Sequence, residues 1–394
     1  MPNEQIAPVA EREFTSVFIA LELSRSKWLV GDGGPHKKGI GRHVVAGGDF
    51  CSLLQCLEQI GASEEKRSGR PVRLHICFEA GRDGHWLYRA LKQAGYDVYE
   101  IDPASVSVNR RARRAKSDGL DVEKLVRTLG QLLRGEQDAC SLVRVPTEEE
   151  EDGKRPEREY ERLTKELNSH SNRIVGLLFA QGIRDFKPLA ADRLERLAEL
   201  SIQPNLKAEL RRECLRLAEL GRQLAEIEAE ITAAVSRKAK PSPARGQAVP
   251  LRAVLPEPMR VKAQALARFR GIGPHFSTVL GCEVYYRHFQ NRRAVGQYIG
   301  LSPAPFQSGD MARDQGIAKA GNRRARKAMI EMAWFWLRYQ PNSALSQWFR
   351  HRVGDQKGRV RRIAIVAMAR KLAVALWRYL ETGLVPEGAV LKHL

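Results

Sequence analysis

The stretch SVFIALEL at 16–23, followed by WLVGD at 28–32 and IGRHVVA at 40–46, decides the fold. Three short apolar runs parted by polar turns predict a β-meander. Leu53, Leu54, Cys56, Leu57 and Ile60 then step with helical spacing, and VRLHICF at 72–78 reads as a buried strand ending at Glu79. GHWLYRALKQA at 84–94 predicts a helix stopped by Gly95, and DVYEI at 97–101 a further strand broken at Pro103. Another helix starts near Asp118 and runs through LVRTLGQLL. Three antiparallel strands, a helix and two strand–helix units form the order expected of an RNase H-like (RuvC-like) sheet. A generic α/β domain is the alternative on pattern alone.

Past this domain, placed at 1–145, the pattern changes. TEEEEDGKRPER at 147–158 reads as a charge-dense connector. Tyr160, Leu163, Leu167, Ile174, Leu177 and Leu178 then mark one amphipathic helix. A longer stripe from Leu206 through Leu220 and Leu224 to Val235 marks a second, which suits an intramolecular hairpin and a dimerisation arm equally. Together they define a helical coiled-coil arm at 146–237. KAKPSPARGQAVP opens a linker over 238–257, and a mostly helical domain fills 258–394. Within it, GIGP at 271–274 has the form of a helix-hairpin-helix turn. There Gly271 and Gly273 permit a tight bend whose backbone N–H groups can face a phosphate; a ligand-free αα turn is the plain alternative.

Composition narrows the class. With 394 residues, 43% hydrophobic and 28% charged, the chain is a globular protein of several domains, and it holds no apolar run of membrane-spanning length. The N-terminus lacks the features of a secretory signal, so a cytoplasmic location, on the nucleoid when DNA is bound, is expected and a membrane partner is not. Six scattered cysteines without a CxxC pair argue against disulfides and zinc, and nine histidines show no metal-ligand spacing. The net charge of +20 points to polyanionic partners. From Ser308 onward, 17 Lys and Arg face 6 Asp and Glu, which concentrates the basic excess in the C-terminal third.

The residues that carry chemistry are acidic. Glu22 lies on the first strand, Glu79 at the end of the fourth, and Asp118 and Asp121 share one face at the start of a helix. Crowded carboxylates repel one another unless a cation lies between them, and hard oxygen donors select Mg²⁺, the ion of phosphate chemistry. Taken singly, Asp118 also reads as a helix N-cap, Asp121 as a dipole-compensating acid and Glu22 as a surface strand residue. Basic groups sit beside them at Arg110, Arg111, Arg113, Arg114 and Lys116. A second basic set lies at Lys319, Asn322, Arg323, Arg324 and Lys327, ahead of an aromatic-rich helix.

FEAGRDGHWLYRALKQAGYDVYEIDP at 78–103 and RRAKSDGLDVEKL at 113–125 resemble the N-terminal domain of the DEDD insertion-sequence transposases, recombinases associated with a structured bridge RNA. FRGIGPHFSTVLGCEV, FQNRRAVGQYIGLSPAPFQSG, IAKAGNRRARKAMIEMAWFWL and IVAMARKLAVALWRYL, all within 269–380, resemble that family's serine-bearing second domain. The resemblance implies that Glu22, Glu79, Asp118 and Asp121 bind Mg²⁺ and that Ser308, in a Ser-Gly step, is the nucleophile of DNA strand transfer. It further implies DNA and a structured guide RNA as partners, and a homo-oligomer, dimer or tetramer, as the working form. Two departures stand out: the family carries Asp where this chain has Glu22, and EAGRDG at 79–84 places Arg82 after the glutamate. The rival readings are a RuvC-like nuclease that uses metal-activated water and a catalytically silent nucleic-acid-binding protein.

Overall fold

The computed structural model describes residues 14–81, 84–106, 118–136, 138–236, 255–308 and 311–392. Contacts divide the chain into two units, 1–146 and 147–394.

The first unit begins with β1 (Thr15–Leu23), β2 (Lys27–Gly33) and β3 (Gly41–Ala46), the expected meander. Then follow α1 (Phe50–Ser68), β4 (Val72–Glu79), α2 (Gly84–Gln93), β5 (Asp97–Ile101) and α3 (Asp118–Leu133). The sheet order is β3-β2-β1-β4-β5, with β2 antiparallel to both its neighbours and β1, β4 and β5 parallel. Side chains alternate across it, because successive residues of a strand point to opposite faces. Val17, Ile19, Leu21, Ile76 and Phe78 pack with Leu53 and Leu57 of α1 and with Leu87 and Leu91 of α2. Ala20 and Cys77 face the other way, onto Val122, Leu125 and Leu129 of α3. Gly31 makes that side possible: a Cβ there would fall 1.9 Å from the Val122 Cγ1, so any side chain would lift α3 off the sheet.

The second unit opens with α4 (Glu148–Asp152) and α5 (Arg155–Phe179), which corrects the connector reading of 147–158. The Thr147 side chain accepts from the Glu150 N–H and the Glu150 carboxylate accepts from the Thr147 N–H, a reciprocal capping box worth roughly 1 kcal/mol. The run of acids at α4 is therefore a helix start, stabilised by its position at the positive end of the helix dipole. After α6 (Arg193–Glu199) comes α7 (Pro204–Ser236). Leu210, Cys214 and Leu217 of α7 are buried with Ile174 and Leu178 of α5, so this part of the stripe is taken up by a hairpin within the chain.

Next come α8 (Glu257–Ala267), α9 (Pro274–Leu280), a π-helical turn at Gly281–Tyr285 and α10 (Arg292–Ile299). A two-stranded hairpin, β6 (Pro303–Ser308) and β7 (Met311–Ile317), is inserted in this mostly helical domain. The last elements are α11 (Arg323–Tyr339), α12 (Ala344–Val353) and α13 (Arg359–Thr382). Phe269, Trp336, Met332, Met368 and Leu372 lie in their common core. Among the described residues no helix is long and apolar enough to cross a membrane.

Charged side chains join α5 to this core. Glu283 in the π-helical turn accepts from Arg158 Nε at 2.9 Å and from Asn322 Nδ2 at 3.0 Å. Burial acts to raise its carboxyl and is outweighed by Arg158, so its pKa lies below the ordinary value. Lys154 Nζ donates to the Tyr286 hydroxyl at 3.0 Å, and burial draws its pKa down. His275 Nδ1 lies 3.2 Å from a Glu157 oxygen, with the imidazole 4.1 Å from the Tyr160 ring.

Two predictions follow from these contacts. Removing one partner of a buried pair strands the other, so Arg158→Met should cost about 3 kcal/mol in denaturant unfolding, the low end for such losses because Arg158 is half exposed. The second concerns pH. Its hydrogen bond to Glu157 raises His275 above 6.5, while burial raises Glu157 above 4.5. A group raised in the folded state contributes stability that is complete below its unfolded pKa and is lost as pH climbs through the folded value. The melting temperature should therefore fall as pH rises above about 6.5, the unfolded value of histidine, and His275→Gln should flatten that decline; parallel curves would refute the assignment.

Candidate functional site

Sheet register places the acidic residues of the first unit. The parallel pairing of β1 with β4 runs to Leu21 beside Phe78, so the next residues along, Glu22 and Glu79, sit at the carboxyl ends of neighbouring strands. Glu22 shares its face with Ala20, and Glu79 shares its face with Cys77; this is the face that α3 covers. Val122 lies over Gly31 and Val126 over Gly33, so α3 runs alongside β2 and its first turn reaches the end of the sheet where β2 starts and β1 finishes. Asp121, one turn before the buried Leu125, is half-buried there. The Asp118 carboxylate is half exposed and pairs with Lys27 Nζ at 3.2 Å. All four acids therefore occupy one face and one end of a single sheet. Among the described residues no three His, Cys, Asp or Glu side chains already form a group able to hold a metal ion. The oxygen-only, anionic character of the set fits a hard divalent cation.

Ser308 is the last residue of β6, paired with Met311 across the hairpin tip. The sequence suggests a loop around it. Instead Ser308 is held within a paired strand, which restricts the backbone at that residue.

The basic candidates divide by what holds them. Arg110, Arg111, Arg113, Arg114 and Lys116 lie outside the described residues, as do Arg82, most of the 238–257 linker and Gly309. Gly271 has φ +87°, and a Cβ there would meet the Tyr339 Cβ at 2.9 Å; Gly273 is extended, and a Cβ there would meet nothing within 4 Å. The turn between α8 and α9 is further fastened by Lys392 Nζ, which donates to the Ala267 and Ile272 carbonyls. Asn322 is the N-cap of α11, accepting from the Ala325 N–H while donating to Glu283. Lys319 is the only non-glycine residue with positive φ among those described, and it is exposed.

Arg324 Nε reaches Glu161 of α5 at 2.9 Å, and Lys327 lies 3.9 Å from Glu331. Arg323, Arg324 and Lys327 all stand in the opening turns of α11, whose first turn carries no acid, and cations there oppose the helix dipole at a cost of some tenths of a kcal/mol each. Their position is thus unexplained by helix stability and suits an anionic ligand.

Other side chains have plain structural duties. Trp336 is buried and donates to Ser343 Oγ at 2.8 Å, whereas Trp334 is exposed under Arg361. His85 Nδ1 lies 3.1 Å from the buried Glu100, a pair on α2 and β5 that sequence spacing gave no way to see.

Comparison with known proteins supplies a family. The sequence profile described as "Transposase IS116/IS110/IS902 family" matches residues 263–347, which begin in α8 and reach into α12. The chain is 44% identical over 397 residues to "Putative transposase y4rJ" of Sinorhizobium fredii (strain NBRC 101917 / NGR234), covering 98% of this chain and 97% of that one. A second protein of the same strain, "Putative transposase y4qE", is 21% identical over 395 residues, covering 93% and 89%.

The two glycines of the α8–α9 turn should respond differently to substitution. Gly271→Ala should cost about 1–3 kcal/mol, from left-handed strain and the Tyr339 clash. Gly273→Ala should change thermal stability little, and comparable losses at both positions would show the account of the turn to be wrong.

Proposed function

The chain belongs to the IS116/IS110/IS902 transposase family, enzymes that cut and rejoin DNA, and from that premise we propose how its residues divide the work. The first unit is an RNase H-like domain, a reading supported by its β3-β2-β1-β4-β5 order. Glu22, Glu79, Asp118 and Asp121 hold Mg²⁺. When bound, the ion polarises the phosphoryl group and steadies the leaving oxygen. The observation that carries this assignment is the register that sets Glu22 beside Glu79 on the α3 face, at the end of the sheet reached by the first turn of α3. The extra methylene of Glu22 lengthens its reach relative to the aspartate of the resembling family. It keeps the same donor atoms.

Ser308 is the nucleophile. Its Oγ attacks the scissile phosphorus, forming a phosphoserine ester as the bond to the 3′ oxygen breaks, and the serine proton ends on the released 3′-hydroxyl. In the second half, a 3′-hydroxyl attacks the ester, the new phosphodiester forms and the serine regains its proton. Two exchanges call for more than one active centre, so the working form is a homo-oligomer, dimer or tetramer. A structured RNA selects the sites, and the net charge of +20 suits both polyanions.

A labelled DNA substrate tests the division of labour. Ser308→Ala should abolish the covalent protein–DNA adduct seen on denaturing gels and leave nucleic-acid binding unchanged. Glu79→Gln and Asp121→Asn should each lower cleavage by about 10²-fold or more and weaken its dependence on added Mg²⁺, with folding intact. A water-using nuclease would keep its cleavage in Ser308→Ala, and that result would replace the serine mechanism.

A further inference from the structure

The C-terminal helix α13 has two working faces. Ala364, Ile365, Met368, Ala369, Leu372 and Ala373 are buried in the core. The opposite stripe, stepping by three and four from Arg359 through Arg362, Ile363, Val366 and Arg370 to Val374, lines an open groove of about 790 Å³. The far wall is the first turn of α10, with Arg292 and Arg293, and the base of the β6–β7 hairpin. Six cations border the groove: Arg292, Arg293, Arg359, Arg362, Arg370 and Lys371. Among the described side chains no acid lines it and none of the six pairs with a carboxylate, in contrast to Arg324 of the α11 cluster. Its floor is apolar, formed by Leu301, Ile317, Ile363 and Val366, with Ile363 57% exposed.

Such an arrangement is costly unless something covers it. Clustered like charges repel, and Arg292 and Arg359 also stand at the positive ends of their helix dipoles. An exposed isoleucine among arginines loses burial without a compensating polar contact. A ligand that is polyanionic along its edge and apolar on its faces offsets both costs. Duplex DNA offers phosphates and keeps its bases stacked inside, so it would use the walls and leave the floor. An unpaired strand uses both, with phosphates on the arginines and base faces on the floor. The cationic stretch of α13 from Arg359 to Lys371 spans about 18 Å at the helical rise, long enough to track several phosphates. A neighbouring hollow bordered by Arg313, Gln315 and Arg359 continues the basic surface along β7, the partner strand of Ser308.

We propose that the groove between α13, α10 and the base of the β6–β7 hairpin binds a single-stranded segment of nucleic acid and leads it along β7 toward Ser308. The binding claim stands on the groove alone; the destination rests on Ser308 being the nucleophile.

The full-length protein and a labelled single-stranded 20-mer DNA of mixed sequence, with its duplex for comparison, provide the test. Arg359, Arg362 and Lys371 are exposed, so changing all three to Gln should leave circular dichroism and melting temperature unaltered. Affinity for the single strand should fall at least about tenfold at moderate salt, and the slope of log K against log salt should become shallower by roughly 2, as expected for three lost phosphate contacts at about 0.7 each. A charge-matched control, Arg211, Arg212 and Arg378 changed to Gln, should lose much less. Equal loss in the control, an unchanged slope, or a duplex affinity that falls as far as the single-strand affinity would each overturn the proposal. Ser308→Ala is read separately: normal single-strand binding without an adduct supports the nucleophile. Normal adduct formation in that variant overturns the destination and leaves the groove to be judged by affinity alone.

Discussion

A buried carboxylate organises the second unit. Glu283 is 5% exposed, and a charge in that position is tolerated only because Arg158 and Asn322 both donate to it. The arginine comes from α5, the asparagine caps α11, and the Tyr298 hydroxyl of α10 donates to the Glu283 carbonyl at 2.9 Å. One residue thereby sets the relation of three helices. The π-helical turn at Gly281–Tyr285 positions it, and Gly281 allows α8 to approach, since a Cβ there would lie 3.0 Å from the Met259 carbonyl oxygen. Loss of Arg158 leaves the carboxylate without its cationic donor in a medium that cannot hydrate it, which makes this junction intolerant of partial change.

The first unit solves a different problem. The sheet is covered by helices on both faces, and at the carboxyl ends of two neighbouring strands it places Glu22 and Glu79 next to each other. Like charges in that arrangement oppose folding. Lys27 moderates the field by pairing with Asp118. The proposed Mg²⁺ would add positive charge at this end of the sheet, where oxygen donors match its hardness.

Cations at helix starts recur in the second unit, in the opening turns of α10, α11 and α13. In each case helix stability alone would prefer the opposite sign. The feature suits the proposed binding of a polyanion, and the cations differ in how they are held. Arg324 is already engaged by Glu161, whereas the cations of the α13 groove have no carboxylate among the described side chains.

Much of this protein was legible in its sequence. Short apolar runs parted by polar turns marked the meander, helical stripes marked α1, α5 and α7, and Gly95 marked the end of α2, because these signals arise from local backbone geometry. The positions of the four acids were legible too, since each falls at a recognisable strand end or helix start, while their joint role belongs to the proposal. What sequence alone missed depends on distant partners. PAPFQS has two prolines and no clean alternation, so β6 is specified by pairing with β7. Asn322 looks like a phosphate ligand until Glu283, 39 residues away, is seen to hold it. Arg292 and Arg359 share one groove only because α13 folds back along α10, and charge density along a chain carries no record of which cations retain a free face once the core has formed.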